Sequence, residues 1–311
     1  MGVLADLPQQ LVYGLALGSV YAMVALGYSM VYGVLEFINF SHGEVFMVGA
    51  FTALVTLTLL TGTGVAGLGP LLLIAMLVTS MLASGLLGVG VERFAYRPLR
   101  RSSRLAPLIS AIGVSLILQN LVMLLQIHLQ GDARPQSVNA DKVVPPGNWQ
   151  IAGLRISHTA VLVLGIAVIL MIGLQLLVSR SQLGRSMRAT AQDAEVAGLM
   201  GIDVSRVITS TFFIGSALAG AAGCLVALYY TQIDYLMGFT AGIKAFAAAV
   251  LGGIGSIRGA MAGGLILGLV EAMAATLISA AYKDLVAFAL LVGVLALRPA
   301  GLFGRRAMER V

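Results

Sequence analysis

The chain has 311 residues, 59% of them apolar and only 10% charged, where soluble domains carry about 25% charged residues. That balance excludes a soluble globular enzyme and leaves an integral membrane protein. The formal net charge of +6 is gathered into a few short loops, which sets membrane orientation and offers no basic groove for nucleic acid. Cys224 is the single cysteine and lies in an apolar run, so no internal disulfide or multi-cysteine metal site is available.

A helix needs about 20 apolar residues to cross a hydrocarbon core of about 30 Å. By that measure the spacing predicts spans at 11–33, 41–61, 69–91, 105–129, 158–178, 207–229, 240–256, 259–280 and 284–299. The opening MGVLADLPQQ lacks the basic region and cleavage signature of a signal peptide, so the first segment is expected to remain as a span. The fold class is all-α, a polytopic bundle of about nine spans in one domain over 1–311, with eight or ten if one segment is re-entrant. Arg93, Arg97, Arg100, Arg101 and Arg104 follow the third span, Arg180, Arg185, Arg188 and Arg206 follow the fifth, and Arg258, Arg305, Arg306 and Arg310 come later. Nine crossings put all of them on one side, which is then cytoplasmic. The 130–157 loop, with turn chemistry at Pro135 and Pro145-Pro146-Gly147-Asn148 followed by Trp149, falls on the outer side. Gly14/Gly18, Gly259/Gly263 and Gly264/Gly268 stand four apart inside spans, a spacing that lets helix backbones approach closely.

Polar groups inside spans are costly and each needs an account. Between the first two spans lies Glu36-Phe-Ile-Asn39-Phe-Ser41-His42-Gly43-Glu44. Asn39 and Ser41 suit helix N-caps and Gly43 a sharp entry; the segment is either a tight cytoplasmic turn or a broken element that aims polar groups into the bundle. Gln119 and Asn120 are interhelical hydrogen-bond partners or line a path. Lys244 is expected to snorkel to the outer surface, with pairing to Glu271, Glu44 or a substrate as the other choice. His42 and Glu44 do not form an HExxH motif, and His128 and His158 lie near the outer face, so no metal is expected.

The stretch SRSQLGRSMRATAQDAEVAGLMGIDVSRV (179–207) is polar and rich in small residues between two apolar segments. Its spacing predicts a surface helix over 187–200, stopped by Gly201. It is either a solvated cytoplasmic loop or a helix that docks into a cleft on a soluble partner. No G-x-S-x-G turn and no GxxxxGK[ST] phosphate loop is present, which argues against a hydrolase and against an intrinsic ATPase.

The runs GSVYAMVALGYSMVYG (18–33) and INFSHGEVFMVGA (38–50) resemble the LivH-type permeases of bacterial high-affinity branched-chain amino acid ABC importers. So do VERFAYRPLR (91–100), LISAIG (108–113), KAFAAAVLGGIGSI (244–257) and YKD (282–284). The similarity extends over essentially the whole chain and is weakest in 131–157. It implies a multi-pass inner-membrane permease, not an enzyme, for leucine, isoleucine and valine. Its implied partners are a second homologous permease, two cytoplasmic ATPases, a periplasmic amino-acid-binding protein and the surrounding lipid. ATP and magnesium would then sit on the ATPases, and no cofactor on this chain. The resemblance makes 179–207 the coupling loop, with Arg188, Ala191, Asp193, Glu195, Ala197, Gly198, Gly201 and Ile202 toward the ATPase. Asn39, Ser41, His42, Glu44, Gln119, Asn120, Lys244 and Glu271 are the expected pathway residues. Related architectures carrying urea, amides or other amino acids, or a secondary amino acid transporter, are the alternatives.

Overall fold

The structure is a computed structural model describing residues 7–304 except 36, 63–67, 101, 104 and 152. Glu36, Arg101, Arg104, Arg305, Arg306 and Arg310 therefore lie outside the described residues. Two helices form the centre, α1 (Leu7–Leu35) and, later in the chain, Val204–Tyr230, both buried over most of their length. Their small residues explain this: Ala22, Ala25 and Gly27 on α1, and the run Ala219-Gly220-Ala221-Ala222-Gly223 on the later helix, bring neighbouring backbones close.

Around them come α2 (His42–Gly62), α3 (Gly69–Val91), α4 (Leu105–Gln130) and α5 (His158–Arg180). Helix α3 continues through a π-helical turn, Glu92–Tyr96, into a 3₁₀ turn, Arg97–Leu99. Hydroxyls join α3 to α2: Ser80 Oγ donates to the Gly49 carbonyl at 2.9 Å and Ser84 Oγ to the Val45 carbonyl at 3.0 Å. Helices α3, α4 and α5 expose apolar faces such as Ile74, Leu86, Ile117, Leu124 and Ile169, as helices at a lipid or subunit boundary do.

The chain then forms α6 (Gln182–Gln192), α7 (Ala194–Leu199), α8 (Val204–Tyr230), α9 (Met237–Gly252), α10 (Ile257–Ala274) and α11 (Lys283–Leu297). Seven helical stretches are long and apolar enough to cross a membrane, the last being Ile257–Leu297 taken whole. That stretch is not straight. After α11 the Leu302 and Phe303 amides donate to the carbonyls of Leu251 and Gly252, both at 2.9 Å, and a straight helix of 41 residues would end about 60 Å away. Residues 275–282, a π turn and a 3₁₀ turn, therefore fold α11 back along α10. With the 16-residue α9 tucked between them and α2, the described chain makes about nine passes. The expected eighth span, 259–280, ends early at this bend.

Glycine spacing acts as expected between α1 and α10: a Cβ on Gly14 or Gly18 would lie 2.9 Å from the Cα of Leu269 or Leu265. In and beside the 130–157 loop, β1 (Gln136–Ser137) pairs with β4 (Gln232–Ile233), and β2 (Asn148–Ile151) with β3 (Leu154–Ser157). The 130–157 loop is thus a small folded cap. Trp149 is half exposed on its β2 strand, with its ring 4.9 Å from that of His158.

Candidate transport site and the 182–202 helices

Helix α1 ends at Leu35, but α2 does not begin at that level. Its first residue, His42, packs against Gly27, where any side chain would overlap the imidazole. Gly27 lies about 12 Å back along α1 from Leu35. Residues 37–41 therefore climb into the bundle as irregular backbone, which a membrane tolerates only inside protein with its polar groups satisfied. Asn39 supplies that satisfaction. Its Oδ1 accepts from the Ser41 amide at 3.1 Å, Ser41 Oγ at 2.6 Å and Tyr96 Oη at 2.5 Å. Ser41 holds the N-cap position, its carbonyl accepting the Glu44 and Val45 amides at 3.1 and 3.2 Å. Its hydroxyl bonds Asn39 and lies 3.2 Å from Tyr96 Oη instead of capping the helix. The broken element, not the tight surface turn, is what forms.

Glu44 lies in the first turn of α2 and is 1% exposed. Its Oε1 accepts from Ser115 Oγ at 3.0 Å and Gln119 Nε2 at 2.8 Å, donors one turn apart on α4. Its Oε2 has no hydrogen-bond partner among the described residues. Close by, α4 and α9 border a cavity of about 610 Å³ lined by Ser115, Gln119, Tyr28, Phe40 and Phe239, among others. Asn120 does not join this site: it is exposed on α4 and donates to the Leu116 carbonyl of its own helix at 2.8 Å. One residue along a helix is a turn of about 100°, enough to move a side chain from the bundle to its rim. His42 is enclosed, its ring 4.9 Å from that of Tyr28.

Lys244 does not snorkel. It is 11% exposed, with Nζ 2.6 Å from Glu271 Oε1 and 2.7 Å from Asp284 Oδ1, while Lys283 Nζ stands 3.7 Å from Glu271. A fixed carboxylate within reach outweighs the gain from extending to water. Lys244 and Lys283 also border a cavity of about 390 Å³ with Tyr21 and Asp234.

At the end of the bundle that carries the 179–207 loop, the expected helix over 187–200 forms as two. Asp193 ends α6 and its Oδ1 accepts the Glu195 and Val196 amides at 2.9 and 3.0 Å, capping α7; an aspartate offers the backbone this alternative to continuing a helix. The stop at Gly201 is as expected. Its φ is +86°, and the Gly201 and Ile202 amides donate to Gly198 and Ala197 carbonyls, both at 3.0 Å, the paired bonds of a Schellman cap. Ala197 is buried against its own chain, so it does not face outward as expected. Glu195 and Gly198 are exposed, Ile202 packs on the core, and Val196, Leu199 and Met200 present an apolar surface with Leu199 84% exposed. Arg188 turns back to the Val178 carbonyl. Ala191 and Asp193 border a cavity of about 650 Å³ shared with Tyr32 and Arg100.

Two partners escaped the sequence reading. Tyr96, on the π turn, holds the Asn39 elbow. Glu92, on the same turn and 1% exposed, pairs with Arg100 and accepts from Thr209 Oγ1 of α8 at 3.0 Å. No local spacing links Tyr96 to Asn39 or Glu92 to Thr209, which lie 57 and 117 positions apart in the chain.

A bundle packed through small residues, with polar groups sealed inside it and a capped helix held out at one end, defines a membrane transport subunit. Residues 10–295 match the family described as branched-chain amino acid transport system / permease component, and the chain belongs to that family. It is 47% identical over 308 residues to the high-affinity branched-chain amino acid transport system permease protein BraD of Pseudomonas aeruginosa, covering 97% of each chain. It is 44% identical over 303 residues, again 97% of each, to the corresponding LivH protein of Escherichia coli K12. An archaeal relative, the probable LivH of Methanocaldococcus jannaschii, is 27% identical over 318 residues. The chain is a multi-pass inner-membrane transport component and not an enzyme.

Proposed function

We propose that this chain is the permease subunit of an ATP-driven importer that carries leucine, isoleucine and valine across the bacterial inner membrane. It pairs with a second, homologous permease. Two cytoplasmic ATPases bind ATP and magnesium and drive it, and a periplasmic binding protein delivers the amino acid. Closure of the ATPase pair moves α7, and alternating access follows as the bundle changes which side its pathway faces. The single observation that supports this most is α7 itself, capped at both ends by Asp193 and Gly201 yet exposing Val196, Leu199 and Met200 to the cytoplasm. Rigid exposed apolar groups on a short helix suit a cleft in a soluble partner.

Gly201 tests the reading. A Cβ there meets nothing within 4 Å, so Gly201→Ala adds only the backbone penalty of about 1 kcal/mol and should leave partial uptake. Gly201→Arg should insert and fold, but lose the ATPases on purification and abolish ATP-driven uptake of leucine in proteoliposomes. Leu199→Glu should act like the arginine variant. Retention of the ATPases and full uptake by both would remove α7 as the coupling surface.

A further inference from the structure

We infer that the cavity between α4 and α9 is a binding site for the ammonium end of a small aliphatic amine or amino acid, with Ser115 and Gln119 as acceptors and Glu44 as the charge behind them. This deepens the import reading and rests on it, by assigning residues of the permease itself to substrate recognition.

An ionised carboxylate only accepts hydrogen bonds. The single hydroxyl hydrogen of Ser115 and one amide hydrogen of Gln119 are therefore committed to Glu44 Oε1, at 3.0 and 2.8 Å. What these side chains have left for the cavity they line is the hydroxyl lone pairs, the amide carbonyl and one amide N–H, so acceptor positions outnumber the donor. The polar end of the cavity is thus acceptor-rich, with a negative charge immediately behind it.

Charge balance points the same way. Glu44 is 1% exposed, and among the described residues Oε2 has no hydrogen-bond partner and no ion pair includes it. A buried carboxylate met only by neutral donors keeps a large desolvation cost that a cationic ligand would offset. The other walls set the rest of the ligand. Phe40, Ile112, Leu116, Leu236, Phe239 and Ile243 are apolar, and no lysine, arginine or histidine among the described residues lines the space, which rejects an anionic ligand and accepts an aliphatic body. The volume of about 610 Å³ is that of a small-molecule pocket. Leu236, Phe239 and Thr240 come from the start of α9, which has no side-chain cap; the Met237 amide donates to the Asp234 carbonyl at 3.2 Å, which leaves the Gly238 and Phe239 amides as the donors toward a substrate carboxylate.

The test uses the purified assembly in nanodiscs, without binding protein, and three probes: leucine, 3-methylbutylamine (ammonium only) and 4-methylpentanoate (carboxylate only). Leucine and the amine should both bind, with the carboxylate at least about tenfold weaker. Glu44→Gln and Gln119→Leu should each weaken amine binding by about 10- to 100-fold, the equivalent of one hydrogen bond to a charged group. Ile112 is half exposed, so Ile112→Trp should fold and abolish binding by filling the cavity. Equal binding of amine and carboxylate, no binding of either to the wild-type assembly, or unchanged amine binding by Gln119→Leu and Ile112→Trp would overturn the assignment. ATP-driven leucine uptake by the same wild-type assembly with its binding protein separates the two ideas. Uptake without the binding pattern defeats the site alone, whereas failure to import any branched aliphatic amino acid defeats the import reading.

Discussion

Glu44 and Glu271 are both carboxylates sealed inside the bundle, 1% and 2% exposed, and their surroundings differ in kind. Glu271 faces the Lys244 ammonium at 2.6 Å with Lys283 behind it, and Lys244 in turn holds Asp284. The four charges cancel, and they tie the middle of α9 to α10 and to the start of α11. Glu44 has only the hydroxyl of Ser115 and the amide of Gln119. A carboxylate neutralised by fixed cations holds helices together, and removing one partner strands a charge. One held by neutral donors keeps its attraction for a mobile cation, and the bundle does not depend on its charge. The residue type is the same; the company decides the role.

The largest expected effect comes from breaking the first cluster. Lys244→Met leaves Glu271 without its nearest cation and should destabilise the bundle by about 3–5 kcal/mol, seen as loss of folded protein in detergent melting. The double variant Lys244→Met/Glu271→Gln should recover most of that stability, because Asp284 is half exposed and keeps water. No recovery would mean that the pair contributes through packing rather than charge.

A smaller effect is expected at Glu44. Glu44→Gln removes the buried charge but keeps an acceptor for Ser115, so thermal stability should change by no more than about 1 kcal/mol, in either direction. A loss as large as that of Lys244→Met would make Glu44 structural and erase the contrast. Between these in sequence but smallest in effect is Asn120→Ala. It removes a side chain on the rim of α4 that bonds only its own helix, and both stability, within about 0.5 kcal/mol, and uptake should stay unchanged. A transport defect there would show that the path runs along the outer face of α4 instead.

Much of the fold was legible. The apolar runs located the spans, and the arginines placed the 93–100 turns and the 179–207 loop at the same end of the bundle. The Gly201 stop was legible because a Schellman cap is closed by bonds spanning five residues. The Asp193 break is equally local, and the small-residue helical spacing on either side of it masked the signal.

What the sequence could not decide was which face of each span looks inward. In a soluble helix the polar stripe answers this, but lipid is as apolar as the core, and both faces of α1 to α4 carry apolar residues alike. Gln119 and Asn120 are therefore equivalent in the sequence, and only the packing of α4 turned one toward Glu44 and the other to the rim. Glu44 finds Ser115 and Gln119 across 71 and 75 positions, and Lys244 finds Glu271 across 27. Composition and local capping determined that this is a membrane bundle and where the helix before Gly201 stops. Tertiary packing alone decided which buried carboxylate is met by fixed cations and which by neutral donors, because that depends on neighbours brought together from separate helices.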